Sequence, residues 1–449
     1  MFVVFAFFIQ KSTIVYILHF GATVKGLNEK IAKKLQKLLV KSKNLGFNIN
    51  MLLKYEFSNF RSVGKDPVSI DFEASAEKLH DEVLIDGKAN KACFIFGENG
   101  VGKSSIVYSF EKLRDMVHRP IMNRDRCVRD QQHILYKDCP STYEVTFTKN
   151  GVKYIYSLSY LNSEILSESL YYSPNGRTTK VFTRGKELES LSFSSAFEKD
   201  AKNCGGYFRP SRLILSIAAN VTQIQPIIDA CSFFDGDILR FLDDKPNSAI
   251  VQRVGEFLTE NPHFKELFLK MLKDSGFDIE DIIIESYTEE PRRYPTYEEP
   301  DDYFESRLSR SRVVFDVLVK HPQFTLPLKE ESHGTLNLMR ILIAFCRVMN
   351  EEKVMLCDEP ETSIHPNLFR EIVRMFMDSG YNTNSQMLCA THATEILDLK
   401  MLRRDQLYFA SMNSQDRSTC LTRLSDMNGI RKTDNIEKAF LAGEYAQDK

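Results

Sequence analysis

Apolar residues fall along this chain in two rhythms that change place several times. Between residues 51 and 210 they mostly alternate with polar ones, the period of a strand with one buried face. Met51-Leu52-Leu53-Lys54-Tyr55-Glu56-Phe57 opens the series and Val68-Ser69-Ile70-Asp71-Phe72 continues it. Tyr143 to Thr148 and Tyr154 to Leu158 flank Lys149-Asn150-Gly151, which predicts a β-hairpin closed by an Asn-Gly turn. Ile165 to Tyr172 and Lys180 to Thr183 extend the same antiparallel layer. From Ser211 the spacing moves to three and four. Ile214 to Leu242 and Ala249 to Leu272 predict helices, broken at Lys245-Pro246-Asn247. Thr288 to Arg312 is polar, with Pro291, Pro295, Pro300 and paired acids, and reads as a surface loop or a disordered insertion. Val313 to Val317 returns to strand and Leu336 to Met349 to helix.

Three short apolar runs, read as buried strands, lead into residues able to do chemistry. Ala92-Cys93-Phe94-Ile95-Phe96 precedes Gly97-Glu98-Asn99-Gly100-Val101-Gly102-Lys103-Ser104-Ser105, which fits G-x-x-x-x-G-K-[ST]. A helical pattern, Ser105 to Met116, follows it. Strand, Gly-rich turn and helix is the context a phosphate-cradling loop requires. Glycines let the backbone approach phosphate oxygens that a Cβ would hold off. The loop amides and the helix N-terminus then face the anion. Lys103 is expected to reach the β- and γ-phosphates of ATP, and the Ser104 hydroxyl to sit on Mg²⁺. The second run, Val354 to Cys357, ends in Asp358-Glu359-Pro360-Glu361. Asp358 is placed to hold Mg²⁺ through water. Glu359, expected on the opposite side of the strand, is placed to take a proton from attacking water, work worth about 10²–10⁴-fold. The third run, Gln386 to Ala390, ends in Thr391-His392, where His392 can hydrogen-bond a γ-phosphate and report its presence. Lys329-Glu330-Glu331-Ser332-His333-Gly334-Thr335 runs into the helix from Leu336. Ser332 and Gly334 at its N-terminus offer a further anion site, although Ser332 equally suits plain capping.

Composition narrows the partners. The chain has 449 residues, 43% hydrophobic and 27% charged, an ordinary globular balance with room for two or three domains. Its net charge of -2 offers no global basic footprint for nucleic acid. Residues 1–50 hold eight lysines against Glu29, so the remainder is acidic and DNA could meet only a local groove. Nine cysteines lie scattered without a C-x-x-C pair, which reads as reduced thiols in the cytosol. Met1 to Val24 is mostly apolar but interrupted by Gln10, Lys11, Ser12 and His19. Its positive charge comes after the apolar stretch, the reverse of a signal peptide. A clean membrane span needs about 20 uninterrupted apolar residues, so a membrane contact is the lesser reading. Residues 1–50 read as an extension ahead of a core that begins at Met51.

The order P-loop, Ser-x-Gly helix start, Asp-Glu strand and Thr-His strand resembles the ABC-type ATPase heads of the SMC-like and OLD-like families. Asn59-Phe60-Arg61-Ser62 resembles their N-terminal strand motif, and Glu331-Ser332-His333-Gly334-Thr335 their signature. Asp358-Glu359-Pro360-Glu361-Thr362-Ser363-Ile364-His365-Pro366 resembles their extended Walker B and D-loop. The likeness is closest to the stand-alone AAA ATPases of bacterial abortive-infection and restriction-linked (Rlo-type) anti-phage operons. Those share a hairpin segment like Pro140 to Tyr160 and a tail like Ile436 to Tyr445. The resemblance spans about residues 51–449.

That resemblance implies an α/β P-loop NTPase of ABC-ATPase-head type, a mixed sheet with an antiparallel β layer and an inserted helical subdomain. Residues 51–210 would form one ATPase lobe, 211–311 a helical insertion with the acidic loop, and 312–449 a second lobe with signature, Walker B and switch histidine. It implies ATP and Mg²⁺ as cofactors, with Arg61 joining Gly97 to Ser105 at the nucleotide. It also implies a head-to-head homodimer, each ATP lying between one copy's P-loop and the other's Ser332 and Gly334. The function implied is a cytoplasmic anti-phage switch that answers a phage-derived trigger and controls a separate effector, a Toprim-type nuclease or a toxin. Alternatives are a DNA-maintenance clamp of SMC/RecF type and a transporter ATPase subunit. The Q-loop glutamine is unassigned, with Gln131 and Gln132 near its position. The helical segment is too short for a coiled-coil arm. Only about 57 residues follow His392, short of the roughly 100 that the nuclease domain of OLD-like proteins would need.

Deleting residues 1–50 is expected to leave ATP turnover unchanged in a phosphate-release assay. Loss of soluble protein on deletion would instead favour an anchoring role for the segment.

Overall fold

Two sheets meet over one helix. The computed structural model describes residues 49–77, 80–118, 131–202, 205–209, 211–241, 247–274, 276–289, 312–362, 364–431 and 433–445. The first 48 residues, the basic stretch 119–129 and the acidic segment 290–311 lie outside that description. The chain enters through β1 (Met51–Ser58) and β2 (Val68–Asp71), then runs into β3 (Ala92–Phe96) and α1 (Lys103–His118). A meander follows: β4 (Ser141–Lys149), β5 (Val152–Leu161), β6 (Glu164–Ser173), β7 (Thr179–Arg184) and β8 (Ser192–Phe193). Helices α2 (Ile214–Val221) and α3 (Gln225–Gly236) lead to β9 (Ile238–Arg240), then α4 (Asn247–Glu260) and α5 (Phe264–Asp274). A small antiparallel sheet of β10 (Asp281–Glu289), β11 (Arg312–Lys320) and β12 (Thr325–Pro327) precedes α6 (His333–Glu351). The chain closes with β13 (Val354–Asp358), α7 (Pro366–Met377), β14 (Gln386–Ala390), β15 (Leu407–Met412) and β16 (Thr419–Arg423).

The alternating segments build a seven-stranded sheet in the order β8-β7-β6-β5-β4-β1-β2, its neighbours antiparallel. Asn150 and Gly151 take φ of 52° and 76°, the left-handed pair that the β4–β5 hairpin turn demands. The apolar runs build the second sheet, in the order β9-β13-β14-β3-β15-β16. Its first five strands are parallel and β16 runs against β15. β3 and β14 are buried on both faces, which is why their sequences lack alternation. Pairing of Asp358 with Ala390, and of Ala390 with Ile95, ends β13, β14 and β3 level with one another. The loops after all three therefore leave from the same edge, where parallel α/β sheets bind their ligands.

Helix α1 fills the space between the sheets. Phe110 stacks on Tyr55 at 4.4 Å, and the Tyr55 hydroxyl donates to Ser109 Oγ at 2.7 Å. Phe147 of β4 stacks on Phe233 of α3 at 4.2 Å in the same core. A second core on the far side of the parallel sheet packs α4, α5, α6 and α7. No helix among the described residues is long and apolar enough to cross a membrane.

Three local readings change. The helical pattern expected through Leu242 stops at Gly236, because Ile238 to Arg240 pair with Val354 to Leu356 as an edge strand. Helices α2 and α3 share the core around α1, whereas α4 and α5 belong to the second core. The polar stretch from Thr288 begins as strand, since Thr288 and Glu289 pair with Val313 and Arg312. Cross-strand hydrogen bonding there overrides a loop-like composition.

Phe147→Ala removes a fully buried ring from the seam between β4 and α3. It is expected to lower stability by about 3–5 kcal/mol, read as a shift in the urea midpoint.

Candidate functional site

Residues Gly97 to Gly102 make the turn from β3 into α1, and each glycine has its own reason. Gly100 and Gly102 hold φ of 80° and 98°, where side chains are strained. A Cβ on Gly102 would collide with Thr419 Oγ1 and Ser62 Oγ, and one on Gly97 would lie 2.6 Å from the Ala410 carbonyl oxygen. Among the described residues nothing beyond its chain neighbours lies within 4 Å of where a Cβ on Gly100 would stand, so that side of the loop is open to them. Thr419 Oγ1 is 2.8 Å from both the Val101 carbonyl oxygen and Ser62 Oγ, bracing the loop from β16 and from the Asn59-to-Ser62 turn. Ser105 starts the helix ladder with its N–H on the Gly102 carbonyl at 3.0 Å. Glu98 and Asn99 point to solvent while Val101 is buried.

Lys103 Nζ donates to the carbonyls of Gly97 and Glu98 at 2.9 and 3.0 Å. Burial draws its pKa down, against the pull of Glu359, Asp358 and Glu361. Ser104 Oγ donates to Asp358 Oδ1 at 3.0 Å, across 254 residues of sequence. Burial raises the Asp358 carboxyl above its usual range, and the Ser104 hydrogen bond opposes it. Paired oxygen donors of this kind suit a hard divalent cation such as Mg²⁺.

Glu359 does not continue the strand's alternation. β13 ends at Asp358, and Glu359 takes a left-handed φ of 46° with its N–H on the Ala390 carbonyl at 2.8 Å. The turn brings Glu359 Oε1 to 3.2 Å from His392 Nε2. The His392 N–H donates to Glu361 Oε1 at 2.6 Å, and burial raises the Glu361 carboxyl. The strand ends before Glu359, so this turn rather than strand alternation sets the direction of its side chain.

Arg61 also sits at positive φ, 52°, with its N–H on the Gln131 carbonyl at 2.7 Å. That backbone carbonyl is what Gln131 contributes here. The Asn59 amide fixes the turn by donating to the carbonyls of Tyr136 and Cys139 at 2.9 and 2.7 Å. The Arg61 guanidinium lies 4.7 Å from the Tyr108 ring centre, and Arg240 of β9 lies 5.5 Å from the same ring. Arg240 Nε pairs with Glu111 Oε1 at 2.7 Å, yet burial still pushes the Glu111 carboxyl up to about 7. Sequence reasoning missed Tyr108, Glu111, Arg240 and Thr419. The spacing of Tyr108 and Glu111 along α1 was available as a signal, whereas Arg240 and Thr419 reach the site through sheet pairing alone.

Among the described residues, no hydrogen bond joins Ser332 or Gly334 to the loop from Gly97 to Ser105. Ser332 Oγ accepts the Thr335 N–H at 3.1 Å as the N-cap of α6, and the position of a Cβ on Gly334 faces the Phe277 ring at 3.7 Å. Within one chain the fold thus gathers Gly97 to Ser105, Asp358, Glu359 and His392, while Ser332 and Gly334 belong to the start of α6. A cleft of about 380 Å³ between α4 and α6 and another of about 560 Å³ between α5 and α7 are not lined by residues 97–105.

Residues 93–398 match the family described as "AAA domain, putative AbiEii toxin, Type IV TA system". No curated protein matches the chain. Among solved structures it is similar to the SMC head domain from Thermotoga maritima, at 14% identity and a TM-score of 0.38, covering 83% of this chain and 98% of that one. It is similar to an SmcHead bound to the C-winged helix domain of ScpA, at 12% identity and a TM-score of 0.36, covering 84% and 98%. A third likeness is to the Smc head domain with an extended coiled coil bound to the C-terminal domain of ScpA derived from Pyrococcus furiosus. There the identity is 12% and the TM-score 0.34, with coverage of 88% and 99%.

Gly102→Ala is expected to abolish binding of a fluorescent ATP analogue, because the new methyl meets both hydroxyls that brace the loop. Wild-type affinity in that variant would show that the brace is dispensable.

Proposed function

This chain belongs to that AAA-domain family, and from this premise we propose that it is an ATP-hydrolysing switch working as a head-to-head homodimer. Its fold is that of a P-loop ATPase of ABC-head type. The observation that carries the reading is the gathering of Lys103, Ser104, Asp358, Glu359 and His392 at one sheet edge, beside a loop open at Gly100.

In this reading the backbone N–H groups from Gly97 to Ser105 receive the phosphates. Lys103 exchanges the carbonyls of Gly97 and Glu98 for the β- and γ-oxygens. Ser104 and Asp358 would hold Mg²⁺, which when bound neutralises charge on those oxygens. Glu359 accepts the proton of the attacking water, and His392 orients Glu359 and meets the γ-phosphate. Arg61, poised over Tyr108, joins from the neighbouring turn. Ser332 and Gly334 of a second copy complete the site, the N-terminus of α6 offering its backbone N–H groups to the anion. Bound ATP then favours the paired state and hydrolysis releases it, as a ligand with differential affinity must.

The family description names a toxin of a toxin–antitoxin system, and it supports a cytoplasmic anti-phage switch. Such a switch would answer a phage-derived trigger and act on a separate effector, a nuclease or a toxin. The free thiols of Cys93, Cys346, Cys357 and Cys389, all buried, suit a reducing compartment. The acidic excess beyond residue 50 makes a direct DNA clamp the weaker reading.

Glu359→Gln is expected to lower turnover by about 10²–10⁴-fold while retaining ATP and stabilising the dimer. Phosphate release and sedimentation velocity measure the two effects, and unchanged turnover would refute the assigned base. Lys103→Ala is expected to lose both nucleotide binding and protection in a phage challenge; full protection would sink the switch.

A further inference from the structure

We infer that His321 is a positioning residue for the start of α6, held as an imidazolium that clamps Glu331 and, through it, Ser332. The inference rests on the composite-site reading above for its purpose, but its geometry stands alone. His321 opens the turn between β11 and β12, with its N–H on the Phe324 carbonyl at 2.8 Å and its ring stacked on Phe324 at 4.6 Å. Its Nδ1 lies 2.8 Å from the Asp278 carbonyl oxygen, and its Nε2 lies 2.6 Å from Glu331 Oε1. A carbonyl oxygen only accepts, and so does an ionised carboxylate. Both contacts therefore need an N–H, and a ring with hydrogen on both nitrogens is the cation. A neutral ring would set a lone pair against oxygen in one of the two. The side chains of His321 and Glu331 are 16% and 7% exposed, and the contact between them is partly buried while that to Asp278 faces solvent.

The carboxylate passes the constraint on. Glu331 Oε2 accepts the Ser332 N–H at 3.2 Å and the Thr335 hydroxyl at 3.3 Å. Thr335 Oγ1 lies 2.8 Å from Ser332 Oγ, and its N–H donates to the same hydroxyl. The loop after α5, the β11–β12 turn and the first turn of α6 are thus joined through one ring. Charged groups around it agree in sign: the Glu331 hydrogen bond raises the imidazole above 6.5 most, Asp278 adds to it, and burial opposes. Neighbouring Lys320 is engaged by Glu280 at 3.0 Å. Because the folded pKa is raised, the clamp is complete below about pH 6.5 and is lost as pH rises through the folded value. ATP-dependent pairing should weaken in the same direction.

The test uses the full chain. Two-bond ¹H–¹⁵N spectra of histidine-labelled protein, with His321 assigned through His321→Gln, should show both ring nitrogens protonated at pH 7. A neutral His321 at that pH overturns the inference. In the Glu359→Gln background, sedimentation with ATP should show the dimer weakening as pH rises from 6 to 9. His321→Ala should weaken the dimer about tenfold at pH 6.5, flatten its pH profile, and leave binding of a fluorescent ATP analogue within about twofold. Glu331→Gln, a smaller perturbation, should move the alkaline midpoint to lower pH. No ATP-dependent dimer with His321 intact would refute the composite site. A dimer that survives His321→Ala with unchanged affinity and pH profile would refute the clamp alone.

Discussion

A lysine ammonium held nearly out of water sets the terms for this structure. Lys103 is 5% exposed, and its charge is tolerated because two carbonyls and a group of carboxylates surround it. Removing such partners from a buried charge is costly, so whatever brings them together is under strong constraint. The carboxylates come from more than 250 residues away, and they arrive because β13, β14 and β3 end level in a parallel sheet. A one-residue slip would turn Asp358 to the other face of the sheet.

The two cores divide the labour. Around α1, stacked aromatic rings lock the antiparallel sheet to the P-loop helix. On the opposite side α6 and α7 cover the parallel sheet, and Ser332 caps the start of α6. In the proposed dimer each nucleotide is a bridge between that helix start in one copy and the P-loop of the other. In that proposal the His321 clamp would set the approach geometry of a surface meeting a partner's phosphate in advance. Left-handed turn geometry recurs around the candidate site. Arg61, Gly100, Gly102 and Glu359 all take positive φ, and each lies next to the edge.

Much of this was legible from residue order. The glycine spacing, the hairpin turn and the three apolar runs each depend on neighbours in sequence, and the structure forms them there. What failed did so for stated reasons. Alternation does not govern Glu359, because a left-handed residue ends the strand. Helical spacing ran through Ile238 to Arg240 because a three-residue edge strand is too short to show a period. Thr419, Arg240 and His321 carry no motif, and they matter through partners found only after folding.

The sequence by itself determined the local chemistry: a phosphate-cradling loop, an acid pair after one strand, a histidine after another and a capped helix start. Those features need only a few consecutive residues and the conformations they permit. Tertiary structure decided which of them meet. Sheet register joined Ser104 to Asp358 and Glu359 to His392, and it left Ser332 on another element, next to Glu331, which a histidine from a neighbouring turn contacts. Local spacing cannot carry that information, because distances between strands are set by hydrogen-bond pairing and core packing rather than by position along the chain.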